Sequence, residues 1–133
     1  MVIEDDVEAN ETVTMTVAPD GRYARVVRTV VASCASLEGF SIDDLGDVRL
    51  LVDTAFHALL EVGSGPVDVV VQPSAQQLDI VMSAARRTGR RWAEEGLQLL
   101  ETVASVAAVD RSFEERDHEL VLRVRVQAHD DGH

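Results

Sequence analysis

Apolar and polar positions alternate over Glu11–Val17 (ETVTMTV), a period of two that predicts a half-buried strand. Pro19 and Asp20 break that strand and open a helix. In RYARVVRTVVASCASLEG the apolar set Tyr23, Val26, Val27, Val30, Val31 and Cys34 recurs at helical spacing, and Gly39 closes the segment. Ser41 with Asp44 three residues on has the form of a capping box, Asp replacing the usual Glu or Gln. The helix it opens is expected to bury Ile42, Leu45, Val48, Val52, Ala55 and Leu59, with Gly63 as its C-terminal cap. GSGP then reads as a turn, VDVVVQ as a strand, PSAQQ as a second turn and LDIVMSA as a strand, their short spacing predicting an antiparallel hairpin. An arginine-dense loop over 86–91 leads to a helix from about Trp92 to Val106, with Leu99, Leu100, Val103 and Val106 expected inward. Two strands, near Val109–Glu115 and Glu119–Gln127, complete the order.

Strand, two helices, two strands, helix, two strands predicts an α+β two-layer sandwich, with helices on one face of a mixed, mostly antiparallel sheet. Residues 1–10 are expected to form a flexible acidic arm, 11–128 a single domain and 129–133 a frayed tail. At 133 residues and 46% hydrophobic, the chain has material for one core; with 4% aromatic residues, that core must be mostly Val, Leu and Ala.

Charge changes the functional picture. The formal net charge of −12 opposes nonspecific nucleic-acid binding, which depends on cations neutralising phosphates. It suits a basic protein partner, and it equally suits plain solubility. Every one of the 12 basic residues is Arg, a bias that fits a GC-rich coding sequence. Charges interrupt every apolar run before a membrane span is reached, and the acidic start does not have the form of a secretory signal. Cys34 is the lone cysteine, so no intrachain disulfide forms; a cytoplasmic location is expected.

The stretch SIDDLGDVRLLVDTAFHALLE, with LDIVMSA and GLQLLETVASVAAV, resembles the anti-sigma factor/serine-protein kinase family, whose fold is the GHKL (histidine kinase-like, Bergerat) ATPase fold. The resemblance runs from about Glu11 to Gln127 and rests on element order and short hydrophobic patterns. Family members carry a Glu that activates the attacking hydroxyl and an Asn that holds Mg²⁺; Thr54 and Ala58 stand at those places. Thr54 has no titration near neutral pH and Ala58 offers no oxygen to a hard cation. The only Asn is Asn10. The family's D-x-G-x-G has no counterpart, Ala84 and Arg86 occupying its position, and of the later glycine-rich loop only Gly96 survives, beside Glu94 and Glu95.

The resemblance therefore implies a degenerate, actinobacterial-type member, a pseudokinase without a catalytic, cofactor or metal site and without bound ATP or Mg²⁺. It implies a sigma factor gripped directly by a homodimer and released by a STAS-type antagonist, with no direct nucleic-acid or membrane contact. Transcription regulation would then proceed by stoichiometric binding. Two other readings stand beside it: a working serine kinase in which Asp53 or Glu61 replaces the missing base, and a scaffold for some other regulator.

Further residues have two readings each. Arg22, Arg25 and Arg28, spaced by three on the first helix, form a partner-binding stripe or a solvated face. Asp53 and His57 are one helical turn apart and form a surface pair, pocket filler or part of a metal site. Arg86, Arg87, Arg90 and Arg91 form an anion site or pair with nearby carboxylates. Cys34 reads as a small buried hydrophobe, and Trp92 as a core cap or an interface anchor.

Overall fold

The computed structural model describes residues 12–86 and 94–129. Five strands form one sheet: β1 (Val13–Val17), β2 (Gly63–Ser74), β3 (Gln77–Arg86), β4 (Asp110–Glu115) and β5 (Glu119–Gln127), in the spatial order β1-β2-β3-β5-β4. Every described pairing is antiparallel, where the sequence had suggested a mixed sheet. The helices are α1 (Ala24–Leu37), entered through a 3-10 turn at Gly21–Tyr23, then α2 (Ile42–Val62) and α3 (Glu94–Ala107). The α+β class and the predicted element order hold.

The pleat explains why the helices collect on one side. Val67, Val69 and Val71 of β2, Leu78, Ile80 and Met82 of β3, and Leu120, Leu122, Val124 and Val126 of β5 alternate into one buried face. Across it lie Val27 and Val31 of α1, Leu51, Phe56 and Leu59 of α2, and Leu100 and Ala104 of α3. The opposite face carries cross-strand polar pairs such as Thr16 with Asp68 at 2.6 Å and Arg125 with Asp79 at 2.8 Å.

Local chemistry fixes the ends of the elements. Asp20 caps the 3-10 turn by accepting from the Arg22 backbone N–H at 2.9 Å. Gly39, at φ 87°, ends α1 in a conformation that an L side chain rarely adopts. Ser41 and Asp44 complete the expected capping box, the Ser41 Oγ accepting at 3.1 Å and the Asp44 carboxylate at 3.3 Å. Asp44 is the one buried charged residue among those described, at 5% exposure. It also accepts from the backbone N–H and ring Nδ1 of His129, at 3.1 and 2.5 Å, so His129, expected to belong to a frayed tail, is tied to the start of α2; residues 130–133 lie outside the described residues.

Several expectations are corrected. GSGP is not a free turn: β2 begins at Gly63 directly after α2, and its register with β3 shifts between Ser64 and Val67. Pro66, which lacks an N–H, falls in that irregularity. Arg86 belongs to β3 rather than to a loop, opposite Gly63. Leu99 and Val106 do not point inward but are 57% and 72% exposed, because α3 turns Leu100 and Ala104 toward the core. Ile42 is 84% exposed, since it opens α2 ahead of the first core turn; Tyr23 of the 3-10 turn and Val26 of α1 are exposed, whereas Val27, Val31 and Cys34 are buried.

Candidate functional site

Two places bear on function. One is the junction of α2, β3 and α3, where the family resemblance sets its nucleotide-site residues. Ala58 and Ala84 belong to the same buried cluster. Backbones crowd there: a Cβ added at Gly63 would lie 2.7 Å from the Leu59 carbonyl oxygen and 3.0 Å from the Ala84 Cβ. The Thr54 hydroxyl donates to the Leu50 carbonyl at 2.7 Å, a bond within its own helix. The Arg86 guanidinium donates to the Arg116 carbonyl at 3.0 Å, toward the β4–β5 connection. Gly96 lies half-buried in α3, where Glu94, Glu95 and Gln98 line a cleft with Glu61 of α2. The five positions thus split between a packed apolar contact (Ala58 and Ala84), a hydrogen bond within α2 (Thr54), a hydrogen bond across 30 residues to the β4–β5 connection (Arg86) and a helix position beside an acidic cleft (Gly96). Arg87, Arg90, Arg91 and Trp92 lie outside the described residues.

The second place is the groove between α1 and α2. Arg22, Arg25 and Arg28 line it together, with Asp53 and His57 opposite. The structure brings the three arginines to one groove yet gives them different surroundings. Arg22 is held by Asp20, its Nε and Nη2 donating to Oδ2 at 3.2 and 3.0 Å. The hydrogen bonds from Arg22 lower the Asp20 carboxyl below its ordinary range, and Asp20 in turn raises Arg22. Arg28 donates to Asp53 at 2.9 Å. Arg25 has no carboxylate partner among the described residues.

His57 Nε2 lies 3.7 Å from Asp53, an ion-pair distance only if the ring is protonated and too long for a hydrogen bond. No group of three metal-ligating side chains occurs among the described residues. The sequence reading missed Arg49, which lines the same groove from α2 with Leu50 and Thr29. Its i, i+4 spacing from Asp53 was the available signal.

Cys34 is buried, and desolvation with the nearby Glu38 charge pushes its thiol pKa up, as suits a packing residue rather than a nucleophile. Among the described residues, no helix is long and apolar enough to cross a membrane.

The chain matches no family model and no curated protein.

Proposed function

We propose that the chain is a GHKL-like, noncatalytic anti-sigma factor that sequesters a sigma factor by stoichiometric binding, in the cytoplasm, as a homodimer. The observation that carries this reading is the character of the α2–β3–α3 junction. Where a nucleotide-using relative needs a carboxylate base, a metal-holding amide and an adenine-reading Asp, this chain has Thr54 bonded to its own helix, buried Ala58 and buried Ala84. The neighbouring cleft is lined by Glu61, Glu94 and Glu95. Three carboxylates repel a triphosphate, and no amide or Asp oxygen is present at the expected positions to organise one. The element order is the one on which the family resemblance rests.

Without phosphoryl transfer, release of the sigma factor depends on competition by a STAS-type antagonist, through concentration and relative affinity. The α1 groove with Arg22, Arg25 and Arg28 is the partner-binding surface in this reading. The serine-kinase alternative has Asp53 and Glu61 as the available carboxylates. Asp53 is engaged by Arg28 at 2.9 Å on the α1 side, which argues against its service as a free base.

The test is purification of the tagged chain without nucleotide, followed by Mg-ATP titration. We expect a sigma subunit in near-equal amount and no rise in melting temperature with Mg-ATP. A nucleotide that binds the native state must raise that temperature by mass action, so a saturable rise, or phosphate transferred to a co-purified antagonist, overturns the reading.

A further inference from the structure

Acidic residues outnumber basic ones in this chain by 24 to 12, so an arginine has carboxylates to choose from. Among the described residues Arg22, Arg28, Arg111, Arg116 and Arg125 each meet one within ion-pair distance. Arg123 acts electrostatically on Glu114. Arg25 and Arg49 meet none, and both line one groove, Arg25 from α1 and Arg49 from α2. The same groove holds the Arg28–Asp53 pair, Thr29 and Leu50.

We infer that Arg25 and Arg49 form a two-armed clamp for carboxylates on an amphipathic acidic helix of a protein partner, seated over Leu50. This deepens the binding role proposed above and rests on it, adding a second helix to the surface and a chemistry to the occupant. Two guanidiniums, one from each helix, favour two anionic groups carried on one rigid partner element, as Glu at i and i+4 of a helix would present them. Leu50 is 55% exposed in the same groove, an apolar contact that a free inorganic anion would leave unused. Asp53 lines the same groove and sets a penalty on a dense charge such as phosphate. Separate carboxylates that reach the two outer arginines avoid it. The remaining surface of an acidic protein repels an acidic partner, so attraction is confined to this groove, which favours register over tightness.

The test uses the full chain and a labelled helical peptide with Glu at i and i+4 and Leu at i+3, followed by fluorescence anisotropy. Saturable binding is expected, weakened about tenfold or more by either Arg25→Glu or Arg49→Glu, and by Gln in place of both peptide glutamates. Arg123→Glu, the same charge change on the open sheet face, is expected to leave the affinity unchanged. No binding to the native chain, equal binding by the Gln peptide, or equal loss in Arg123→Glu each overturns the clamp. So does displacement of the peptide by inorganic phosphate with the same potency as by unlabelled peptide.

The two proposals fail separately. A sigma subunit that co-purifies undiminished with Arg49→Glu removes the clamp and leaves sequestration. Peptide binding lost in Arg49→Glu, with no sigma subunit recovered from the native chain, leaves the clamp and removes the sigma factor.

Discussion

Replacing Asp44 by Ala should destabilise the domain by about 2–3 kcal/mol, although the residue lies in neither functional region. Its carboxylate accepts from the Ser41 N–H at 3.3 Å, closing the capping box, and from the N–H and ring of His129, 85 residues away. A helix N-terminal capping interaction contributes roughly 1 kcal/mol, and a hydrogen bond to a charged group about 1.5–3 kcal/mol. The His129 side chain is largely exposed and recovers water once released, so the lower end of the second range applies. Urea denaturation followed by far-ultraviolet circular dichroism gives the midpoint, and an unchanged slope confirms that the unfolded states are comparable. A variant within about 0.5 kcal/mol of the native chain would refute the account, placing Asp44 among inert surface positions.

The same carboxyl gives a pH signature. Burial alone would raise its pKa, but the hydrogen bonds from His129 and Ser41 outweigh burial and hold it below the usual value. A depressed carboxyl adds stability that is fully present above its unfolded value, about 3.9, and is lost as pH falls through the folded value. An imidazole such as the His129 ring ordinarily gains its charge between neutral pH and about pH 5, so the sign is read below that window: there the stability gap between the native chain and Asp44→Asn should shrink as acid protonates the carboxyl. A gap that widens from about pH 5 downward would show that the sign is wrong.

Two further predictions concern packing, each read from urea midpoints. Gly63→Ala should cost about 1–3 kcal/mol, because the new Cβ meets the Leu59 carbonyl at 2.7 Å and backbone cannot step aside as a side chain can; an unchanged midpoint removes that crowding. Leu100→Ala should cost about 2–5 kcal/mol, whereas Leu99→Gln should stay within about 0.5 kcal/mol. Comparable losses at both would reverse the assigned rotation of α3.

Elements whose signal is local were legible. The Ser41–Asp44 box, Gly39 and the period-two run of β3 each decide structure within a few residues. What failed depends on neighbours distant in sequence. From the 3-10 turn into α1, Tyr23, Val26 and Val30 make one apolar line and Val27, Val31 and Cys34 another, and only packing against the sheet selects the second as core. The same holds in α3, where Leu97, Leu99, Leu100, Val103 and Val106 allow more than one inward face. The long start of β2 escaped notice because GSGP has turn chemistry; pairing of Gly63 with Arg86 and Ser64 with Ala85 overrides it.

The candidate surface was half legible for a related reason. Spacing announces that Arg22, Arg25 and Arg28 are near each other, but not which of them is already neutralised. That depends on Asp20, two residues from Arg22, and on Asp53, 25 residues from Arg28. A neutralised arginine has little left to offer a partner, because a newcomer must displace an existing carboxylate for a small net gain. Arg25 carries no such handicap, and neither does Arg49, which no pattern on α1 could have announced. Charge reversal at Arg22 should therefore affect an acidic ligand much less than the same change at Arg25, although the two lie one helical step apart. Equal losses at both would mean that the groove acts through its summed field rather than through two placed guanidiniums.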